Sequence, residues 1–249
     1  MSNHSILTQA QANSRYKLFG DDYKVNYDIT LHMSKGSSCY RGLVSISFTL
    51  QNTNSELFID FFPSGTIEQL IINNELITTT SQYKDLQKDL HLFLPTDKLR
   101  VGSNILTILF NNDYSKGKGI YRFTDTDSSE LIYTLSEPYY ANKILPCFDQ
   151  PDLKATFSLS LITHKSWINV SNEKLSKTLT EFSEEILKDF KPLEDEVIHY
   201  FVKTPPISTY LFVVIAGDYK EIVCPEKLRD IEFKLYVRPS LYKAVLDQG

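Results

Sequence analysis

Residues 133–161 read YTLSEPYYANKILPCFDQPDLKATFSLSL and join an irregular segment to a strand. In residues 155–161 apolar residues alternate with small polar residues, which is the pattern of a β-strand with one buried face. In the first part, Pro138, Pro146 and Pro151 each remove a backbone donor and force the preceding residue into an extended conformation. The stretch therefore predicts a fixed, non-helical path that leads into a core strand, which is a common location for binding groups.

Alternating patterns on both sides of this stretch indicate an all-β fold. Residues 23–33 and 44–50 alternate apolar and polar side chains and are predicted to form a hairpin. The almost continuously apolar residues 210–216 predict a central strand that is covered on both faces. Further strands are predicted at 57–62, 69–73, 90–94, 104–110, 167–170, 196–203 and 231–237. Short strands at this spacing predict a large antiparallel β-sandwich.

One segment departs from the strand pattern. Leu175, Leu179, Phe182, Ile186 and Phe190 follow one another at steps of three or four residues, which is the spacing of one face of a helix. This predicts a short helical insertion within residues 173–190. The alternative is a long, charged hairpin loop.

The ends of the chain suggest its organisation. Residues 1–14 are polar and predict a flexible N-terminus, and residues 15–240 carry the β-sandwich pattern. Residues 241–249 have the pattern of the first turns of a helix. Tyr242, Val245 and Leu246 would form an apolar stripe there without an obvious partner, which predicts a domain boundary near residue 240.

Composition excludes several classes of protein. The 249 residues include 42% hydrophobic and 23% charged residues, as in an ordinary globular protein, and the net charge of −5 gives no support to nucleic-acid binding. No apolar run approaches the ~18 residues that span a bilayer, and the first twenty residues lack the core of a secretory signal. Cys39, Cys147 and Cys224 are widely spaced and odd in number, which predicts free thiols in a reducing compartment, the cytoplasm.

The residues themselves indicate no catalytic set. A zinc peptidase uses two histidines one helical turn apart with carboxylates, but the five histidines are far apart and no HExxH occurs. The nearest candidate cluster is 194–196 (Glu-Asp-Glu) with His199, for which a solvated acidic turn is the favoured interpretation. Cys147 is interpreted as a core cysteine beside Phe148. We therefore expect no metal ligand and no catalytic residue in this chain.

The central stretch is also specific enough to suggest a family. Residues 145–157, LPCFDQPDLKATF, resemble the signature of the N-terminal domain of the M1 zinc aminopeptidases, the aminopeptidase N family. Residues 119–122 (GIYR), 204–211 (TPPISTYL) and 216–219 (AGDY) match as well. The resemblance covers about residues 22–240. It implies the saddle-like N-terminal fold of that family, a zinc cofactor in the full-length enzyme and peptide substrates with a free N-terminus. It also implies that residues 241–249 begin a catalytic domain.

The resemblance assigns two substrate-binding residues. Residues 134–137, Thr-Leu-Ser-Glu, match a family segment whose glutamate binds the α-amine of the substrate, so Glu137 takes that role. Leu135 stands where the family commonly has a glutamine that lines the pocket for the first side chain, which puts the usual substrate preference in doubt. Arg122 and Asp149 are interpreted as structural residues that hold the irregular path.

Three functions are compatible with these observations. The favoured one is the N-terminal domain of a zinc metallo-aminopeptidase, which caps the active-site cleft and supplies Glu137 but is inactive as this chain alone. The alternative is a non-catalytic β-sandwich interaction module or scaffold derived from the M1 family. A third is a relative with altered chemistry, such as the family's leukotriene-hydrolase branch, which carries glutamine where this chain has Glu137.

Overall fold

Strands make up most of the regular structure. The computed structural model describes residues 7–62, 65–79, 83–228 and 231–248. The helices are α1 (Gln9–Phe19), α2 (Glu184–Asp189) and α3 (Pro239–Gln248), with 3₁₀ turns at Tyr83–Asp85, Thr96–Lys98, Ala141–Lys143 and Thr209–Leu211. The strands are β1 (Val25–Met33), β2 (Cys39–Leu50), β3 (Leu57–Asp60), β4 (Thr66–Ile72), β5 (Glu75–Thr79), β6 (Gln87–Lys88), β7 (His91–Leu94), β8 (Gly102–Asp113), β9 (Gly119–Thr124), β10 (Glu130–Leu135), β11 (Thr156–His164), β12 (Ile168–Ser171), β13 (Leu175–Leu179), β14 (Glu196–Phe201), β15 (Val214–Gly217), β16 (Lys220–Leu228) and β17 (Ile231–Val237).

The strands form several sheets, which confirms the all-β class. The largest has the order β13-β14-β11-β1-β2-β8-β4-β5, and a four-stranded sheet has the order β12-β15-β10-β9. Strands β3-β7-β6 form a third sheet, and β16 and β17 pair with each other. The large sheet is not wholly antiparallel, because β1 and β11 pair in parallel. These two strands are far apart in sequence, so no hairpin turn forces them into opposite directions.

The sheets share one hydrophobic core. Alternate residues of the large sheet, such as Ile29 and Val44, are fully buried, and so are Ile132 and Val214 of the four-stranded sheet and Ile59 of β3. All of them belong to one contiguous cluster. The period-two pattern of the sequence therefore has a direct cause, since one face of each of these sheets is packed into a common interior.

The N-terminus is more ordered than the sequence suggests. Residues 9–14 belong to α1, so the prediction of a flexible segment is wrong for them, while residues 1–6 lie outside the described residues. Thr8 caps the helix, and its hydroxyl accepts a hydrogen bond from the Gln11 N–H. Leu18 and Phe19 are buried in the core and fix the last turn. The first turns of this helix are polar, so the sequence pattern did not predict it. The apolar residues that pack into the core, Leu18 and Phe19, lie at its C-terminal end.

The helical insertion is shorter than predicted. A helix is present at Glu184–Asp189, where Ser183 caps it, but residues 175–179 form strand β13 instead. That strand pairs with β14 at the edge of the large sheet while its side chains remain exposed. Backbone pairing, and not burial of Leu175 and Leu179, thus decides its structure. Phe190 is buried in a small cluster with Ile162.

The apolar run 210–216 is only partly a strand. Its first part forms the 3₁₀ turn Thr209–Leu211, and strand β15 begins at Val214. The central position is confirmed, because β15 lies between β12 and β10. The prediction that both faces are covered is wrong, since Ile215 on the outer face is partly exposed.

Gly217 is required where β15 passes β10. Its φ is +149°, and a Cβ atom there would lie 2.3 Å from the backbone oxygen of Glu130. We expect Gly217→Ala to lower the free energy of unfolding by about 2–3 kcal/mol, because backbone atoms of β10 would have to move. Gly36→Ala is the matched control, since Gly36 also has a positive φ but no atom within 4 Å of the added carbon. Urea titrations of both variants measure this difference, and equal losses would contradict it.

Candidate functional site

Side chains of the sheets hold the irregular segment that precedes β11. Cys147 and Asp60 exchange two backbone hydrogen bonds of 3.0 and 2.8 Å, which attach the segment to the end of β3. The N–H of Phe148 donates to the Tyr27 hydroxyl at 2.9 Å. The Tyr40 hydroxyl donates to the backbone oxygen of Ile144 at 2.6 Å. Because a buried backbone needs partners, these side chains allow an irregular path to lie inside the core.

A buried ion pair lies at the end of β3. The Arg15 guanidinium contacts the Asp60 carboxylate at 2.7 Å, and His91 Nδ1 lies 2.7 Å from the other carboxylate oxygen. The Asp149 N–H donates to Asp60 Oδ2 at 2.9 Å. Burial opposes ionisation of Asp60, but the charge of Arg15 and the bond to His91 outweigh it and lower the pKa. Sequence reasoning missed this network, although a single carboxylate inside the apolar residues 57–62 was a signal for it.

Asp149 holds the segment that follows Glu137. Its carboxylate accepts hydrogen bonds from the backbone N–H and the side-chain amide of Asn142, at 3.0 and 2.6 Å, and from the Thr209 hydroxyl at 2.8 Å. Burial raises the pKa of Asp149. These contacts confirm the structural interpretation of Asp149, because they attach the 3₁₀ turn Ala141–Lys143 to the turn before β15.

Among the described residues, Arg122 binds Glu130 and not the irregular path that it was expected to hold. Its guanidinium forms two contacts with the Glu130 carboxylate, at 2.8 and 3.3 Å, between neighbouring strands β9 and β10. The Gly36 N–H donates to the same carboxylate at 2.9 Å. The start of β10 is thereby fixed to the turn after β1.

Leu135 and Glu137 lie together at the other end of β10. Leu135 is the last residue of the strand, and Glu137 follows in a turn that the Tyr140 N–H closes on the Ser136 oxygen at 2.7 Å. Both side chains are exposed. Among the described residues, none donates a hydrogen bond to the Glu137 carboxylate or forms an ion pair with it. The strand lies before this carboxylate and the 3₁₀ turn at Ala141–Lys143 lies after it. An exposed carboxylate can accept charged hydrogen bonds from a cationic group.

The outer face of the four-stranded sheet is apolar. Tyr133 pairs with Tyr121 on one side and with Ile215 on the other, and the two tyrosine rings stack with centroids 5.0 Å apart. Phe123, Tyr133 and Leu135 are 40%, 39% and 39% exposed. We call these five residues the outer apolar face. Glu137 follows directly at one end of it.

The acidic residues near β14 serve structural contacts. Glu196 lies 2.7 Å from His32 Nε2, and Asp195 lies 3.0 Å from His164 Nε2. The Thr178 hydroxyl and Nδ1 of His199 are 2.9 Å apart. Within residues 7–62, 65–79, 83–228 and 231–248, no group of three histidine, cysteine or acidic side chains could hold a metal ion. The described residues therefore do not fit the zinc ion that the resemblance implies for the family.

Comparison with known proteins decides the family. The model of the peptidase M1 N-terminal domain matches residues 23–211. The chain belongs to the M1 peptidase family. The match includes residues 145–157 and Glu137, so the resemblance seen in the sequence is confirmed.

Named relatives of this M1 domain are aminopeptidases. It is 28% identical to aminopeptidase N of Streptomyces lividans over 240 residues, which cover 94% of this chain and 25% of the relative. It is 30% identical to glutamyl aminopeptidase of Rattus norvegicus over 217 residues, 80% of this chain and 21% of the relative. A probable M1 family aminopeptidase of Encephalitozoon cuniculi is 34% identical over 125 residues, which cover 50% of this chain and 13% of the relative. The chain thus spans a quarter or less of the length of these relatives.

Two further sequence expectations concern the cysteines and membrane helices. Cys39, Cys147 and Cys224 are free, and Cys147 is buried beside Phe148 as expected for a core cysteine. None of the helices in the described ranges is long and apolar enough to cross a membrane.

Proposed function

We propose that this M1 domain is the N-terminal part of a zinc metallo-aminopeptidase and that Glu137 binds the α-ammonium group of the peptide substrate. The observation that carries the proposal is the Glu137 carboxylate, which is exposed and unpaired among the described residues at the fixed end of β10. A charged hydrogen bond between carboxylate and ammonium positions the first peptide bond for hydrolysis. Leu135, two residues earlier at the end of β10, contacts the first side chain of the substrate.

The requirement for a free amine tests this proposal. An aminopeptidase that contains this chain is expected to hydrolyse an aminoacyl anilide and to lose at least about 10-fold in kcat/KM on its N-acetylated form. Acetylation removes the charge and two of the N–H donors while the side chain and the scissile bond stay the same. Equal rates on both substrates would contradict an amine-binding role.

We also propose that this domain caps the active-site cleft and that the outer apolar face packs against the catalytic domain. An exposed apolar surface on a sheet is typical of an interface. The outer apolar face ends two residues before Glu137. If another domain packs on Tyr133 and Leu135, the Glu137 carboxylate therefore lies at the edge of the interface. The occupant is the catalytic domain because the relatives extend to at least four times the matched length.

A pair of charge substitutions tests this interface. Tyr133→Lys is expected to separate the unfolding of this domain from that of the rest of the enzyme in calorimetry, because a charge would be buried between them. Leu76→Lys is the control, since Leu76 is 56% exposed on the edge strand β5 of the large sheet. A change of the same size in both variants would contradict the interface.

We propose further that the zinc ion and the residues that act with it lie outside this chain. The lack of a metal-binding group among the described residues supports this. The 249-residue chain is expected to bind no stoichiometric zinc and to leave an aminoacyl anilide intact. Zinc analysis of the purified chain and an anilide assay measure both, and either a bound zinc or clear hydrolysis would contradict the proposal.

Finally, we propose a cytoplasmic location for the protein. Three free thiols, of which Cys39 and Cys224 are exposed, support a reducing compartment.

A further inference from the structure

Strands β16 and β17 form a two-stranded ribbon whose faces differ. Residues that are opposite each other in an antiparallel pair share a face, and the face changes with each step along a strand. The register therefore places four apolar residues on one face, Ile222, Phe233, Leu235 and Val237, with Lys220 at its end. We call the four apolar residues the ribbon apolar face.

The other face of the ribbon is turned towards the rest of the domain. Three of its residues, Glu221, Lys234 and Tyr236, line a cavity. Phe201 of β14 and Trp167, which precedes β12, line the same cavity. Because one face of the ribbon lies against these strands, the ribbon apolar face points away from them.

The ribbon apolar face is exposed. Phe233 and Leu235 are 47% and 51% exposed, and Ile222 and Val237 are partly exposed. A two-stranded ribbon by itself is only marginally stable in water, and an exposed apolar sheet surface is typical of an interface. The ribbon thus needs a cover that the described residues do not provide.

Helix α3 adds a second exposed apolar surface directly after the ribbon. Leu241 and Leu246 are 42% and 50% exposed and lie within one apolar stripe of the helix. The start of the helix is fixed in place, because the Ser240 N–H donates to the Asp125 carboxylate at 3.3 Å. Asp125 lies in the turn between β9 and β10, so α3 is attached to the four-stranded sheet.

The ribbon and α3 also adjoin the outer apolar face. Arg238, which joins β17 to α3, lies over the Phe123 ring with its guanidinium carbon 5.7 Å from the ring centre. Phe123 is opposite Leu131 near the start of β10, whereas Glu137 follows the end of that strand. An apolar surface therefore extends from Glu137 along the outer apolar face to the ribbon.

The position of these elements in the chain indicates what covers them. The model of the N-terminal domain matches residues 23–211, so β16, β17 and α3 follow the matched region. This chain covers only 25% and 21% of two of its relatives. In such a protein, the ribbon and α3 lie at the junction between the N-terminal domain and the part that follows it.

We propose that the ribbon apolar face and α3 form a second docking surface for the catalytic domain, continuous with the outer apolar face. This inference rests on the proposed function, since the partner is the catalytic domain of the same enzyme. The partner surface is apolar, because Phe233 and Leu235 offer it no charge. A catalytic domain that packs here contacts this domain from Glu137 at one end to α3 at the other, which holds the Glu137 carboxylate at the edge of the cleft.

Hydrogen exchange in the 249-residue chain and in the full-length aminopeptidase that contains it tests this surface. The amides of β17 are expected to exchange at least about 10-fold more slowly in the full-length enzyme, because a covered ribbon opens less often. The amides of the central strand β2 are the internal reference and should exchange at the same rate in both proteins. Equal exchange of β17 in the two proteins would overturn the proposal.

A charge on the ribbon makes the test specific. Phe233→Lys is expected to lower the first Tm of the full-length enzyme by at least about 4 °C but that of the 249-residue chain by less than about 2 °C, because the charge is buried only under the catalytic domain. Leu187→Lys is the matched control, since Leu187 of α2 is 52% exposed and lies outside this surface. It should lower both Tm values by less than about 2 °C. An equal loss for Phe233→Lys in both proteins would contradict the docking surface.

Two further outcomes identify the partner and separate this inference from the proposed function. If the 249-residue chain sediments as a dimer in which β17 is already protected, a second copy covers the ribbon and the proposal is wrong. If β17 exchanges equally in both proteins while Glu137→Ala lowers kcat/KM, the docking surface is refuted and the amine-binding role of Glu137 stands.

Discussion

Replacing Glu137 with alanine in an aminopeptidase that contains this chain is expected to lower kcat/KM about 10- to 100-fold on aminoacyl anilides. The size follows from the loss of one hydrogen bond between two charged groups, about 1.5–3 kcal/mol. The carboxylate is exposed and has no partner among the described residues, so the fold should not depend on it. Steady-state kinetics at saturating zinc measure the loss.

The control for this substitution is Glu173→Ala. Glu173 is a partly exposed glutamate in the connection between β12 and β13, and its substitution makes the same charge change. Its kcat/KM should stay within about twofold of the unsubstituted enzyme. The kcat/KM of Glu137→Gln should lie between those of the unsubstituted enzyme and Glu137→Ala, because the amide can accept a hydrogen bond but has no charge. A Glu137→Ala enzyme with unchanged kinetics would remove the basis of the proposed function.

Replacing Arg15 with alanine is expected to lower the free energy of unfolding by about 3–5 kcal/mol, the largest stability effect that we predict. Removal of one partner from a buried ion pair leaves the other charge without compensation. Asp60 is 3% exposed and would then keep only the contacts to His91 and the Asp149 N–H. The guanidinium also lies 4.3 Å from the centre of the Phe58 ring, so packing is lost as well.

Lys17→Ala is the matched control on the same helix. Lys17 is exposed, and its substitution should change the free energy of unfolding by less than about 0.5 kcal/mol. Urea titrations of the two variants measure the difference. A loss below about 1 kcal/mol for Arg15→Ala would show that the pair with Asp60 does not hold α1 against β3.

The same ion pair gives a prediction for pH. The pKa of Asp60 is lowered in the folded state, so its ionisation stabilises the fold above the unfolded pKa of about 3.9. This contribution is lost as the pH falls below that value and through the folded-state pKa. In Arg15→Ala the pKa of Asp60 should rise, so the free energy of unfolding should change less steeply with pH in this window. Urea titrations at several acidic pH values measure the slope, and an unchanged slope would contradict the assignment.

Local patterns predicted much of the fold. Alternation in residues 23–33 identified β1, because a strand with one buried face must repeat every two residues. The alternation could not predict that β1 pairs with β11 in parallel, since no local sequence pattern shows which distant strand a strand pairs with. Leu175 and Leu179 were assigned to a helix because spacing alone does not show that an edge strand can form through backbone bonds with exposed side chains.

The residues of the candidate site were likewise predicted only in part from the sequence. Glu137 was found through the resemblance alone, because a glutamate before a proline has no distinctive pattern. Asp149 and Arg122 were interpreted as structural because they are charged residues inside the motif segments. The hydrogen bonds of Asp149 confirm that it holds the irregular path, whereas Arg122 binds Glu130 between β9 and β10. Arg15 and His91 were missed, since their shared partner Asp60 is distant from both in the sequence.

The most direct test of the central claim is the coupling between Glu137 and the amine of a bound ligand. Leucinamide and its deaminated analogue, 4-methylpentanamide, differ only in the α-ammonium group and can both be measured as competitive inhibitors. We expect the enzyme with Glu137 to bind leucinamide at least about 10-fold more tightly, and Glu137→Ala to reduce this preference to about twofold or less. If the preference for leucinamide is the same in both enzymes, Glu137 does not bind the substrate amine.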